Sequence, residues 1–426
     1  GVGGTLLTAQ SVSGNNTNQE RTFVLLHSIR QLEGEVYSFV VRDATVGITA
    51  RASPDHYAGG RSLNAKYDLN FKTWIVASEW SEAAWRDTSF TASSTIINTP
   101  AKLAQFAWLV NNGNSFEGRT VTLSADIDLS RHLWVPIGTE DYPFQGRFNG
   151  AGHCINGLYI DNSSRDQQGL FGYFFDYGSS AIENVVVTNL DITARDKVGG
   201  IAGVATGTVR DCTVFGNIAG RDCVGGVVGK SKHYIRNCTV VANVSGRDEI
   251  GGVVGNTEYF TVEGCQTAGK VIGDSYTGGV VGLSEGQGIY LCVNHAEVTA
   301  STNYCGGVVG YTLGPVENCV SYGTINGFVE AGGVAGQAFS FIQNCVNEGD
   351  VYGMQYSGGI VGVTKNEIRN CRNRGYVWSV SMAGGICGSF ANFTAKLINC
   401  HNSGEVQSLE LAGGIAGTTA GGIQDR

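Results

Sequence analysis

The chain has 426 residues, of which 63 are glycine and only 5 proline, with 42 % hydrophobic residues and a formal net charge of −9. Glycine is about twice its usual ~7 % share, but it lacks the every-third-residue period of collagen, and the apolar content excludes a disordered chain. The 28 Lys and Arg are scattered without a basic run, which argues against a nucleic-acid partner, and no apolar stretch reaches the ~18–20 residues of a membrane helix.

Residues 1–95 do not repeat. Four β-branched and aromatic runs, Thr22–Leu26, Val36–Val41, Val46–Ala50 and Phe71–Ala77, are separated by turn-rich stretches. They predict a small β domain of sandwich type. Trp74, Trp80 and Trp85 read first as a packing cluster and second as a sugar-stacking platform.

Residues 96–118 hold the clearest helix. Thr99 is placed to cap it, Pro100 suits its first position, and Gly113 its end. Leu103, Phe106, Ala107, Leu109 and Val110 fall on one apolar face. An open solenoid end exposes strand edges and core, and this helix is positioned to be the lid.

Residues 119–426 read as strands throughout. The leading coils contain Val121–Leu123, Asp126–Leu129, Trp134–Gly138, Phe144–Gly150 and Gly169–Gly172. From residue 181 a regular array takes over. Nine times two glycines are followed by a small aliphatic, a small residue and a third glycine; the first glycines stand at 199, 225, 251, 278, 306, 332, 358, 384 and 413. A period of ~26 residues with three short strand-like runs per unit predicts an all-β, right-handed parallel β-helix. Glycine at the corners is expected to supply positive φ and close backbone approach. Some 11–12 rungs at ~4.8 Å make a rod of about 50–55 Å. The chain stops at Gly421–Arg426 on an unfinished rung, and Gly1 is neither Met nor part of a signal peptide, so the expectation is a piece of something larger.

Cys212, Cys238, Cys265, Cys292, Cys319, Cys345, Cys371 and Cys400 occur once per unit in step with the glycines. Residues in register stack on their own copies, which predicts a buried thiol ladder. Rung spacing would also tolerate disulfides; free thiols are preferred. No His or CxxC pair accompanies the ladder, so no metal and no cofactor are expected.

From residue 98 to about 423 the chain resembles bacterial surface proteins carrying the GLUG motif. The resemblance rests on the helix Ala101–Asn111, Ala125–Leu129, Trp134–Gly138, Phe148–His153, Gly157–Ile160, Gly169–Gly172, and the Asn-Cys and Gly-Gly units. It implies a right-handed parallel β-helix, secreted or on the bacterial cell surface and adhesin-like. The module also occurs in proteins named as IgA-specific metallopeptidases, whose signature is HExxH. None of His27, His56, His132, His153, His233, His295 and His401 sits in such a motif, so this chain would be a non-catalytic appendage of such a protein.

Parallel β-helices also host polysaccharide lyases and glycosidases, whose sites need gathered carboxylates. Asp196, Asp222 and Asp248, each preceded by Arg, read as a surface charge ladder. Glu140 and Asp141 beside Tyr142 are candidates for a loop site. Tyr276, Tyr304 and Tyr356 each stand two residues before a Gly-Gly, with Glu330 between the last two, and would form a broken stripe suited to sugar rings or a protein. Tyr376 and Trp378 form another patch. No catalytic constellation emerges. The preferred function is therefore an adhesin-like binding module for a host or bacterial surface glycan or protein. The alternatives are a carbohydrate-active enzyme with its site near residues 130–180, and a stalk that spaces other domains.

Overall fold

The structure is a computed structural model that describes residues 38–42, 47–51 and 79–418, less 131, 177, 179, 393 and 394. It divides into two compact units, Gly1–Ala77 and Ser78–Arg426. In the first, Ser38–Arg42 pairs antiparallel with Gly47–Arg51, Ser38 opposite Arg51. These strands fall on the second and third predicted runs. The runs at Thr22–Leu26 and Phe71–Ala77, Trp74, and the predicted sandwich lie outside the described residues, as does the unfinished rung after residue 420.

The second unit is a right-handed parallel β-solenoid. One rung carries four strands: Thr208–Arg210, Thr213–Ala219, Asp222–Gly225 and Val228–Ser231. The sheets into which they stack are termed faces A to D in that order. Face A is 12 strands deep, and faces C and D are nine each. The sequence pattern implied three strands because it takes Ile250–Gly255 as one run. That run is broken at Gly251-Gly252, giving Asp248–Gly251 on face C and Val254–Thr257 on face D. The recurring glycines are thus the corner itself.

Their physical role also differs from the expectation. None of the nine Gly-Gly pairs has positive φ. They are glycine because there is no room for a side chain. A Cβ on Gly225 would lie 2.2 Å from the Val228 carbonyl oxygen, and one on Gly226 would lie 2.1 Å from that of Gly252 and 2.6 Å from Val240 Cγ1. The left-handed conformation falls instead on the residue before each ladder cysteine. Asn237, Asn318, Asn344, Asn370 and Asn399 hold φ between 50° and 56°, which asparagine tolerates better than most residues. Their amides bridge rungs: Asn344 Nδ2 donates to Asn318 Oδ1 and Asn370 Nδ2 to Asn344 Oδ1, at 3.2 Å each.

Period-2 alternation sends one column of each face inward. Val209, Ile235, Val262, Ile289, Val316, Ile342 and Ile368 stack in register on face A and are fully buried. The cysteine ladder stands beside them, buried from Cys212 to Cys371 and half-buried at Cys400, all as free thiols. Cys238 and Cys319 each donate to the carbonyl two residues back, at 3.3 Å. Burial pushes the thiols of Cys305 and Cys387, on other faces, up to about 12.

The helix Pro100–Asn111 closes the N-terminal end. Thr99 Oγ1 accepts from the Lys102 N–H at 3.2 Å, and Leu103, Phe106, Ala107 and Val110 are buried. Beneath it Phe106 contacts Phe116, Phe144 and Phe148 at ring separations of 4.9, 5.5 and 6.0 Å. Each fully buried Phe contributes about 1.5–3 kcal/mol. This aromatic plug explains why the leading coils carry Phe171 and Phe174 where the middle rungs carry alanine or valine with alanine, serine or threonine: Phe171 pairs with Ala202, and Ala202 with Val228. The unit begins before the predicted boundary at residue 95. The Trp80 N–H donates to the Leu133 carbonyl at 3.1 Å, and Phe90 packs on Phe106, so both residues belong to the solenoid.

Candidate functional site

The position two residues before each Gly-Gly forms a single column, one side chain per rung. It runs Lys197, Cys223, Glu249, Tyr276, Tyr304, Glu330, Tyr356, Met382 and Leu411. The first five have φ between 50° and 61°, and the last four pair in register on face C. Seven residues later, across the glycine corner, face D supplies a second column: Lys230, Asn256, Leu283, Tyr311, Gln337, Val363. The two columns form a strip along one edge of the solenoid.

Its centre is aromatic. The Tyr276 and Tyr304 rings lie 4.8 Å apart at 30°, one rung spacing, and Tyr311 meets them edge-on at 5.7 and 5.3 Å. Tyr311 also touches Phe339 at 5.1 Å, and Lys365 Nζ lies 3.8 Å above the Phe339 ring. Carboxylates flank the rings. Glu249 accepts from Cys223 Sγ at 2.7 Å and Asn256 Nδ2 at 3.0 Å; Glu330 accepts from Gln337 Nε2 at 3.4 Å. Burial pushes the Glu330 carboxyl up to about 7. Burial, then the nearby carboxylates Glu249 and Glu330, raise the Tyr276 phenol, and burial and Glu330 raise Tyr304.

The structure therefore brings together Tyr276 and Tyr304, and places Tyr356 two rungs further along their column with Glu330 between. Tyr311 was missed in the sequence although it directly follows the Gly306–Gly310 figure, because its relation to Tyr304 exists only once the chain turns the corner. Trp378 lies elsewhere, on face B, paired in register with Tyr352 and Gln407. Tyr376 lies 5.9 Å from Tyr352 and donates to Gln407 Oε1 at 2.9 Å. Glu140 and Asp141 are exposed on the leading coils, where Glu140 accepts from Gln167 Nε2 at 3.2 Å. They join neither aromatic group.

The Arg-Asp turns form the ladder that their repetition implies. Arg195 pairs bidentately with Asp166, Arg221 with Asp196 and Arg247 with Asp222, each reaching back one rung at 2.5–3.0 Å. Their needs are met internally. Trp85 packs at a 45° tilt against His132 at 4.3 Å, while Trp80 is buried and, with Trp108 and Trp134, lines a cavity of about 150 Å³. Among the described residues, no group of three or more His, Cys, Asp or Glu is arranged to hold a metal ion. Glu249 and Glu330 are three rungs apart, ~14 Å, beyond the ~5–9.5 Å of a glycosidase carboxylate pair.

No family profile matches the chain. It is 31 % identical over 177 residues to halomucin of Haloquadratum walsbyi, which covers 38 % of this chain and 2 % of that protein. It is 30 % identical over 128 residues to a candidate Gly-rich membrane protein of Evansella cellulosilytica, covering 28 % of this chain and 14 % of the relative. The chain thus spans only a small part of the relatives it matches. Among solved structures, a candidate immunoglobulin A1 protease of Bacteroides ovatus aligns over 80 % of this chain and 89 % of its own, with TM-score 0.35 and 16 % identity. No described helix of this protein is long and apolar enough to cross a membrane.

Proposed function

We propose that the chain is a non-catalytic binding module, secreted or displayed at a cell surface, that engages a glycan or a protein through the strip centred on Tyr276, Tyr304 and Tyr311. The observation that carries this reading is the contact among the three half-buried rings on an otherwise repetitive rod. Repeat solenoids present extended surfaces to partners, and half-buried tyrosines offer flat contact area at low entropic cost. The GLUG-type sequence resemblance supports the surface location and the adhesin-like role.

The test is a glycan array and a surface-protein panel probed with the full chain and with the Tyr276→Leu/Tyr304→Leu double variant, alongside a reducing-sugar assay. Binding lost in the double variant, without turnover, is expected. Turnover of a polysaccharide would sink the reading, and a partner whose binding ignores both substitutions would move the site off the strip.

A further inference from the structure

Taking the strip as the binding surface, we propose that it receives basic side chains, lysine or arginine, carried by an extended segment of a partner protein. Three features of the strip select donors that carry positive charge. Its rings offer negative π faces, and the chain itself already uses one such face on this edge, with Lys365 over Phe339. Among the described residues, neither Glu249 nor Glu330 forms an ion pair; Lys230, which feels the Glu249 charge, is committed to Glu258 at 2.6 Å. The amides of Asn256 and Gln337 already serve Glu249 and Glu330, so the donors left on the strip are chiefly its tyrosine hydroxyls, while each carboxylate keeps acceptor sites open. Ammonium and guanidinium groups are pure donors that fill such sites and bring the opposite charge. The overall charge of −9 favours encounter with such a partner.

Rung geometry adds a spacing. Glu249 and Glu330 are three rungs apart, ~14 Å, and basic residues four apart on an extended segment are separated by ~13–14 Å. One basic residue then meets each carboxylate, and the residues between them lie over Tyr276 and Tyr304.

The experiment is calorimetric titration of the full chain at pH 8, where the Glu330 carboxyl is ionised, with three blocked peptides. One has two lysines separated by three serines, one has the same composition with the lysines adjacent, and one has glutamine in place of lysine. Chitotetraose serves as the neutral glycan probe. The spaced peptide is expected to bind at least ~5-fold tighter than the adjacent one, with no binding of the glutamine peptide. E249Q/E330Q and Y276L/Y304L should each weaken it by about tenfold or more, and E140Q/D141N by less than twofold; melting curves check that each variant folds. Equal loss in E140Q/D141N and E249Q/E330Q would mean diffuse attraction to an acidic protein and would overturn the cation site alone. Chitotetraose binding that Y276L/Y304L abolishes, with no peptide binding, would also overturn it while keeping the strip. Peptide binding that survives both strip variants would overturn the strip as well.

Discussion

The two halves of the regular array, from residue 181 onward, build face B in different ways. In the first, the strand runs unbroken for seven or eight residues, at Thr213–Ala219, Thr239–Ser245 and Gln266–Gly273, and its inward column reads Val214, Val240, Thr267. In the second the strand is broken in two, as at Val293–Asn294 and Glu297–Ala300 or Arg372–Asn373 and Val377–Ser379, and the column continues as Asn294, Ser321, Asn347, Asn373, Asn402. The break turns backbone groups toward the interior, and asparagine meets them. Asn373 Nδ2 donates to the Gly375 carbonyl at 2.9 Å and to Asn402 Oδ1 at 2.8 Å, while Asn373 Oδ1 accepts from Asn347 Nδ2 at 2.8 Å. Thr267, donating to Asn294 Oδ1 at 2.8 Å, joins the hydrocarbon half to the amide half. A polar residue inside a rung is stable here because the next rung carries one too, so the polar column is continuous rather than scattered.

The strongest way to break this comparison is Asn373→Val. It leaves the Gly375 carbonyl without its amide partner, at about 1–3 kcal/mol, and takes one hydrogen bond each from Asn347 Nδ2 and Asn402 Oδ1, which keep Gly349 and Gly404, at about 0.5–1.5 kcal/mol per bond. The expected loss is about 3–5 kcal/mol by urea denaturation, with hydrogen exchange accelerating first in the last rungs. Asn402→Val should cost less, because Asn402 is half-buried at the end of the column. A loss for Asn373→Val no larger than for an exposed asparagine such as Asn217 would show that the column carries no load.

The reverse substitution, Val240→Asn, asks whether the first half accepts an amide. Face B is unbroken there, so no carbonyl or N–H turns inward to meet it, and Val240 is 1 % exposed beside the Gly226 corner. Burying an unmatched amide costs about 2–4 kcal/mol. Adding Val214→Asn, one rung below, should recover part of that loss by letting the two amides pair. Additive losses would count against a column that works by continuity.

How much of this was readable in the letters follows from what repeats. A period of one rung puts each Gly-Gly and each ladder cysteine on its own copy, so the stack and the thiol column follow directly, and Thr99 and Pro100 marked the lid. The fourth strand did not follow, because Ile250–Gly255 is apolar throughout and alternation cannot see a corner inside it. Nor did the amide column: Asn347 in Cys345-Val-Asn-Glu-Gly has the composition of a surface turn, and only stacking makes it interior. At the site, Tyr276 and Tyr304 were readable by position, whereas Tyr311 was not. Trp378 shares their chemistry but stands on another face, which no one-dimensional spacing distinguishes.

Glu330 sharpens the comparison at the surface of the second half. Its carboxyl is raised by burial from an ordinary value of 4.5 to about 7. Between those values the folded chain holds a proton that the unfolded chain has lost. Stability contributed by this group is therefore full below about pH 4.5, declines as pH rises toward 7, and stays flat above. Allowing for its partial exposure, the change is on the order of 1–2 kcal/mol. In melts from pH 5 to pH 8, E330Q should lose this component, gaining on the parent as pH rises. A parallel pair of curves would mean that Glu330 is solvated like any surface carboxylate.

The smallest effect concerns the junction itself. Where other rungs place asparagine, aspartate or glycine in the left-handed position before the ladder cysteine, the rung that begins the amide half carries Leu291 at φ 56°, with its side chain 55 % exposed. Leucine in that conformation bears strain of about 1 kcal/mol relative to glycine or asparagine, and its exposed side chain recovers little by burial. Leu291→Asn is expected to stabilise the chain by about 0.5–1 kcal/mol. It also places an amide between Gly264 and Asn318, extending the outer asparagine ladder of Asn318, Asn344 and Asn370 by one rung. Leu291→Gly separates the two contributions, relieving the strain without adding the amide. If asparagine stabilises and glycine does not, the ladder bond is the source; if both do, the backbone is. A loss in both would mean that the leucine packs to some purpose at the junction, and that the change from hydrocarbon to amide interior is held in place from the outside.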